Sequence, residues 1–258
     1  LKGGRTAKVQ LLADATDSNS VAIVFNYASQ ILAGYIERAG ARVPGMVSME
    51  TRAWFNPNME SKYFYVPGLI AAMLMVVSIL LASIAIVREK EIGTIEQLMV
   101  TPIGRTEFIL GKTVPYMILG YIMMSIMIAL TEAIFGIGVQ GSMVLLYAMA
   151  GVFLAGNLGL ALFISTTAGT QQQALLTGFF FMMPCILLSG FIFPVRNMPM
   201  LFQYATYLDP LRWFLEIVRG VVTKGVGLDA LWKPVLGQCG VAVLFMTLAV
   251  ARVRKTSG

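Results

Sequence analysis

The sequence predicts a mainly α-helical, polytopic membrane protein that carries part of a small α/β domain at its N-terminal end. Charged residues make up only 12% of the 258 residues and hydrophobic residues make up 57%, whereas soluble domains carry about 25% charged residues. Several apolar runs reach the ~20 residues that a helix needs to cross a bilayer. A soluble protein with a very large core is the alternative, and the length of these runs argues against it.

The first 65 residues differ in composition from the rest and predict an extracytoplasmic domain. Residues 8–15 and 47–55 have the pattern of short strands, and between them Asp17 or Ser18 can cap a helix with one apolar face that ends at Gly40. This segment is too short to bury a core of its own. The chain also starts at Leu1 without a signal pattern, so we expect additional N-terminal sequence that includes a sixth span.

Five spans are predicted in the rest of the chain, residues 66–258, and each is close to the length that a bilayer requires. They cover residues 66–87, 113–135, 142–165, 174–193 and 234–251. The third span has small residues at four-residue spacing, which favours close helix packing. Gly151, Ala155 and Gly159 form this series, and Gly156 lies beside it.

The distribution of basic residues predicts the orientation of these spans. A basic tail follows the last span, so we expect the C-terminus in the cytoplasm. With five spans, residues 88–112 and the loop 166–173 then lie inside, and the segment 194–231 lies outside. Four basic residues of that outer segment weaken the argument from charge; they are Arg196, Arg212, Arg219 and Lys224. The other basic residues are scattered, which gives no indication of nucleic-acid binding.

Residues 88–112 form a charged island between two apolar runs and must lie in water, because one charge at the bilayer centre costs roughly 2.5–3.5 kcal/mol. Gly111-Lys112-Thr113 resembles the end of a phosphate-binding loop, but the glycine required five positions earlier is replaced by Thr106. The sequence contains no His, and Glu132 is the single acidic residue within the predicted spans. Glu132 could line a substrate path or simply contact water at the interface. The sequence therefore argues against a self-contained enzyme, a metal site and a proton-driven antiporter.

The first part of the island, residues 88–102, predicts an amphipathic helix that docks a partner protein. Ile92, Ile95 and Met99 fall near one face, and Thr101-Pro102 ends the helix. Acidic and basic residues are nearly balanced, which fits a groove on a protein better than an anionic lipid surface.

These residues resemble the permease subunits of ABC-2-type transporters, of the bacterial drug-efflux-like branch. The resemblance rests on Arg88-Glu89-Lys90-Glu91, Gly93-Thr94, Glu96, Leu98 and Thr101-Pro102, continued by Glu107, Gly111-Lys112 and Pro115-Tyr116. A second patch resembles the family's outward re-entrant hairpin, which implies a re-entrant segment at residues 194–231. The patch contains Gly190 to Pro194, Met198-Pro199, Tyr207, Asp209-Pro210 and Arg219-Gly220. The first external residues, 9–14 and 17–19, are also similar, whereas the family's first span and the start of its external domain have no counterpart.

The resemblance implies a dimer of permease halves in a bacterial inner membrane, two ABC ATPase subunits that hold ATP and Mg²⁺, and often a periplasmic adaptor. No cofactor is expected on this chain. The residues expected to couple to the ATPase are Arg88, Glu89, Glu91, Ile92, Gly93, Thr94, Ile95, Glu96, Leu98, Met99, Thr101 and Pro102. A substrate path for amphiphilic cargo is expected at Met123, Met127, Asn157, Phe180 and Met182. The alternative is that these side chains only face lipid and have no role in transport. An outer gate is expected at Phe191, Pro194, Trp213 and Arg219, with an ordinary interfacial helix as the alternative.

Two other functions remain open at this point. A secondary transporter or lipid scramblase would work without an ATPase. A scaffold of an envelope complex would work through its external domain and without ATP hydrolysis.

Overall fold

The computed structural model describes residues 18–38, 61–93 and 105–256, and the regular structure among these residues is helical throughout. The chain divides into two compact units, Leu1–Phe64 and Tyr65–Gly258. In the first unit the structure describes the predicted helix, α1, as Ser18–Arg38. Both predicted strands, 8–15 and 47–55, lie outside the described residues, so the α/β part of the predicted fold is not supported.

Five helices of the described chain are long and apolar enough to cross a membrane, as the sequence predicted. They are α2 (Lys62–Ile92), α3 (Arg105–Phe135), α4 (Met143–Thr167), α5 (Gln171–Leu188) and α8 (Leu228–Thr256). The fourth span was predicted to reach residue 193, but its helix ends at Leu188. Gly190 follows with a φ of 87°, a left-handed conformation that cannot continue an α-helix and that glycine adopts without strain.

Helix α4 occupies the centre of the second unit. In its most apolar window 61% of the residues are buried, against 22% for α3 and 17% for α5. It contacts α3, α5, α7 and α8, and its Asn157 Nδ2 donates a hydrogen bond of 3.1 Å to Ser78 Oγ on α2. The remaining helices are therefore arranged around α4.

Two glycines bring the backbones of α4 and α8 close together. A Cβ atom at Gly159 would lie 2.9 Å from the backbone nitrogen of Met246, and one at Gly156 would lie 3.1 Å from the Cα of Ala242. These two contacts also show that α4 and α8 run in the same direction. The predicted packing role of the small residues is confirmed at both glycines.

The segment between α5 and α8 is a series of short helices that ends in α7 (Pro210–Lys224). It begins with a 3₁₀ turn at Val195–Asn197, followed by α6 (Met200–Ala205) and a second 3₁₀ turn at Thr206–Leu208. Asp209 caps α7 by accepting a hydrogen bond of 2.9 Å from Leu211 N–H, and Pro210 occupies the first helical position, where a missing N–H is tolerated. Gly225 ends the helix at a φ of 63°.

Helix α7 packs against the spans through its apolar face. The Phe214 ring stacks on Phe153 of α4 with centroids 4.2 Å apart and planes at 12°. At its C-terminal end, Val221 and Val222 carbonyls accept hydrogen bonds from Gly141 N–H (2.9 Å) and Gln140 N–H (3.2 Å). These bonds satisfy carbonyls that have no partner within the helix and place the α3–α4 connection beside α7.

Candidate functional site

The charged island begins as a direct continuation of span α2. Arg88, Glu91 and Ile92 are exposed, and Glu89 is half-buried. Gly93 follows the helix with a φ of 78°. An uninterrupted helix of 31 residues is about 46 Å long, longer than the ~30 Å hydrocarbon core of a bilayer, so its polar end can extend beyond the membrane. The rest of the predicted coupling helix, residues 94–102, lies outside the described residues, so its predicted role stays a prediction.

Glu91 connects the end of α2 to the start of α5. Its Oε1 accepts a hydrogen bond of 2.9 Å from the backbone N–H of Gln171, and its Oε2 accepts a short one from the Gln171 side-chain amide. Gln171 is the first residue of α5, where backbone N–H groups lack partners within the helix and the helix dipole favours a negative charge. The side-chain bond, and then the backbone bond, hold the pKa of the Glu91 carboxyl below its usual value.

An apolar contact lies beside this pair. Val87 of α2, Ala168 of the α4–α5 turn and Ala174 of α5 form one cluster, and none of them is more than 1% exposed. Together with Glu91 and Gln171 they form what we call the α2–α5 joint. The joint connects the candidate coupling segment to two other spans, because Ala168 directly follows α4.

The residues of the predicted substrate path do not share one surface. On α3, Met123 and Met127 are half-buried, and on α5 Met182 is buried whereas Phe180 is 73% exposed. Asn157 is fully buried and is occupied by its bond to Ser78. Asn157 therefore holds α4 to α2 in this conformation, and the path assignment of all five residues stays a prediction.

Two of the four predicted gate residues meet on α2. The Arg219 side chain donates a hydrogen bond of 3.2 Å to the Gly190 carbonyl, and the Phe191 ring contacts Tyr65 edge-on with centroids 6.4 Å apart. Both side chains lie over Gly68, where a Cβ atom would be 2.5 Å from the Phe191 ring and 3.5 Å from the Arg219 guanidinium. This contact holds the turn after α5 against the start of α2.

The other two predicted gate residues lie elsewhere. The Trp213 indole lies against Gly237 of α8, where a Cβ atom would be 2.5 Å from the ring, and it donates a 3.0 Å hydrogen bond to the Tyr207 carbonyl. Pro194 precedes the first 3₁₀ turn and is half-buried. Phe191 and Arg219 thus share one contact and Trp213 belongs to another, and the gating role of the four residues stays a prediction.

A buried carboxyl group lies at the start of α7. Asp209 is 5% exposed, and burial raises its pKa to about 8, although the hydrogen bond from Leu211 and the nearby Arg212 act in the opposite direction. The Arg212 guanidinium lies 4.2 Å from the Tyr207 ring centroid and donates to the Gln203 carbonyl at 3.3 Å. Arg212 therefore holds the short helices before α7 together.

Several of these residues were not assigned a role by sequence reasoning. Gln171 falls in a polar loop, and the signal that could have identified it is Thr170, whose side chain caps α5 by accepting from Gln173 N–H at 3.2 Å. Ser78 carries no sequence signal, because a single serine in an apolar span is common. Among the described residues there is no group of three or more His, Cys, Asp or Glu side chains that could hold a metal ion.

Comparison with known proteins gives one consistent family. The profile of the ABC-2 family transporter proteins matches residues 1–251. Over 231 residues the chain is 36% identical to the "Probable multidrug ABC transporter permease YbhR" of Escherichia coli K12, covering 89% of this chain and 63% of that protein. It is 32% identical to the "Probable multidrug ABC transporter permease YbhS" of the same organism, covering 98% and 69%.

A third relative is more distant. The chain is 26% identical to the "Inner membrane transport permease YhhJ" of Escherichia coli K12, covering 99% of this chain and 70% of that protein. The chain thus spans about two thirds of the length of these relatives. With five candidate spans and a match over nearly its whole length, this chain belongs to the ABC-2 family of transporter permeases.

Proposed function

We propose that this chain is the membrane-spanning subunit of an exporter that moves amphiphilic drugs, lipids or similar cargo outward with ATP hydrolysed by a separate subunit. The observation that carries the proposal is the charged end of α2. It continues a membrane span without a break, and it is joined to α5. A segment that passes the movement of an external subunit to the spans needs such connections.

The similarity to permeases named for multidrug transport supports the cargo class. We propose two ATPase subunits that bind ATP and Mg²⁺, a second permease copy or homologue, and a bacterial inner membrane as the location. A periplasmic adaptor would extend the path beyond the membrane. In this scheme residues 88–102 dock on the ATPase.

The test reconstitutes the full-length protein with its ATPase subunit in liposomes and measures ATP-dependent movement of a fluorescent amphiphile. We expect Glu96→Lys and Gly93→Pro to abolish co-purification with the ATPase or to lower ATP-coupled transport at least tenfold. The matched control is Asp229→Lys, which reverses an exposed charge in the first turn of α8. It should retain the transport of the wild type.

The other outcomes distinguish the rival functions. Cargo movement in liposomes that contain this subunit alone would indicate a secondary transporter or scramblase. Cellular function that survives loss of ATP hydrolysis would indicate a scaffold. Normal coupling in both island variants would overturn the docking assignment.

A further inference from the structure

The α2–α5 joint is a contact among the described residues that links the candidate ATPase-docking segment to spans other than its own. Glu91 is the fourth residue of the island, and Gln171 is the first residue of α5. Both carboxylate oxygens of Glu91 are engaged by Gln171, one by the backbone and one by the side chain. The backbone bond matters most, because it holds the helix itself and not just a mobile side chain.

The structure around the joint is suited to transmit movement. The first turn of α5 is closed by Thr170, which accepts from Gln173 N–H, and by the Gln173 side chain, which accepts from Gly169 N–H at 2.8 Å. Ala168 and Ala174, which contact Val87, are alanines without side-chain torsions that could absorb a displacement. The alanine side of this apolar contact therefore has no side-chain torsion in which a movement of the end of α2 could be lost.

Chemistry explains why this position carries a carboxylate. A carboxylate offers two acceptor oxygens, and the N-terminus of α5 presents backbone donors with a favourable dipole. An amide at position 91 would keep a single acceptor oxygen, and an alanine would keep only the apolar contact. The bond is charge-assisted and is stronger than a bond between neutral groups.

We propose that Glu91 is a positioning residue that makes the end of α2 and the start of α5 move as one body, so that docking of the ATPase at residues 88–102 repositions α5 and the adjoining end of α4. This inference rests on the proposed function, because it requires an ATPase that docks on the island. To the proposed function it adds the span that receives the movement, α5, and the residue that passes the movement on, Glu91.

The first experiment measures cargo transported per ATP hydrolysed in liposomes that contain the full complex, together with ATPase co-purification and the melting temperature. In Glu91→Ala we expect transport per ATP to fall about three- to tenfold, the change that corresponds to one or two hydrogen bonds. ATP hydrolysis and co-purification should persist. Gln172→Ala alters the exposed neighbour of Gln171 and should leave transport per ATP unchanged.

A second pair of variants keeps the proposal testable if Glu91→Ala folds poorly. Glu91→Gln combined with Gln171→Glu exchanges the two side chains, which restores their hydrogen bond and keeps an acid at the start of α5. We expect the exchanged pair to regain most of the transport per ATP that Glu91→Gln alone loses.

A covalent cross-link between positions 91 and 171 gives the strictest control, because it replaces the hydrogen bonds between them. After Cys185 and Cys239 are replaced by alanine, Glu91→Cys with Gln171→Cys should transport poorly until a short bismaleimide connects the two thiols, and transport should then recover. Recovery supports movement as one body, whereas further loss on cross-linking shows that α2 and α5 must separate and overturns the proposal. Unchanged transport per ATP in Glu91→Ala also overturns it. If the wild-type complex itself shows no ATP-coupled transport, the proposed function fails instead.

Discussion

Asp209 is the residue whose ionisation should control stability most visibly. It caps α7 through one carboxylate oxygen, and burial raises its pKa from 3.8 to about 8. Between these values the folded protein holds a proton that the unfolded chain has released, so the free energy of unfolding decreases as the pH rises through this range. The stabilisation is complete below about pH 3.8 and is lost at about pH 8.

This predicts a pH-dependent effect of Asp209→Asn. Asparagine keeps the capping oxygen and does not ionise, so the melting temperature of the variant relative to the wild type should rise from about pH 5 to about pH 9. Thermal unfolding of the detergent-purified protein measures the difference. Asp229→Asn, which removes an exposed carboxylate in the first turn of α8, is the matched control. A pH-independent difference for Asp209→Asn would show that the buried group does not titrate in this range.

At the scale of elements, the contact between α4 and α8 depends on the absence of a side chain at Gly159. An added Cβ would lie 2.9 Å from the Met246 nitrogen and 2.9 Å from the Phe245 carbonyl carbon, and both are backbone atoms that cannot rotate away. We therefore expect Gly159→Ala to destabilise the protein by about 1–3 kcal/mol, the usual range for overpacking. The melting temperature in detergent and the yield of folded protein measure this effect.

Gly240 provides the matched control on α8. A Cβ atom there meets nothing within 4 Å, and alanine is the better helix former by up to about 1 kcal/mol. Gly240→Ala should therefore melt at the same temperature as the wild type or higher. If both alanine variants melt alike, the close approach of α4 and α8 is not what limits stability.

The same elements show what could be predicted from sequence. The five spans follow from apolar length, and the close packing at Gly156 and Gly159 follows from spacing, because both properties are local. The partner of those glycines was not predictable, since it depends on which helix lies alongside α4. The joint was missed for the same reason, because Glu91 in the charged island and Gln171 in a polar loop are 80 positions apart. The end of α5 was placed too late because Ile192 and Phe193 continue the apolar run after Gly190.

In the second unit, the segments that connect the spans lie at two opposite ends of the helices. The Glu91–Gln171 bond places the end of α2 beside the α4–α5 turn. Since α4 and α8 run in the same direction, the C-terminal end of α8 lies at this end as well. The α3–α4 connection lies at the other end, where Gln140 and Gly141 bond to α7.

This division strengthens the argument from charge for the orientation. Of the basic residues in the segment before α8, Arg212 donates to the Gln203 carbonyl and Arg219 donates to the Gly190 carbonyl. Both are part of the folded structure, and the rule that places basic residues in the cytoplasm applies mainly to free, short loops. The orientation therefore follows from the basic residues of the island and of the C-terminal tail. We predict that the end with the α2–α5 joint is cytoplasmic.

Cysteine labelling in sealed membrane vesicles of known orientation tests this topology. With Cys185 and Cys239 replaced by alanine, Gln140→Cys should react with a membrane-impermeant maleimide from the extracytoplasmic side and Gln172→Cys from the cytoplasmic side, because both positions are exposed at opposite ends of the spans. Each should become reactive from the other side only after the vesicles are permeabilised. The reverse pattern would place the island outside the cell, where no ATP-hydrolysing subunit could reach it, and would contradict the orientation and the proposed function together.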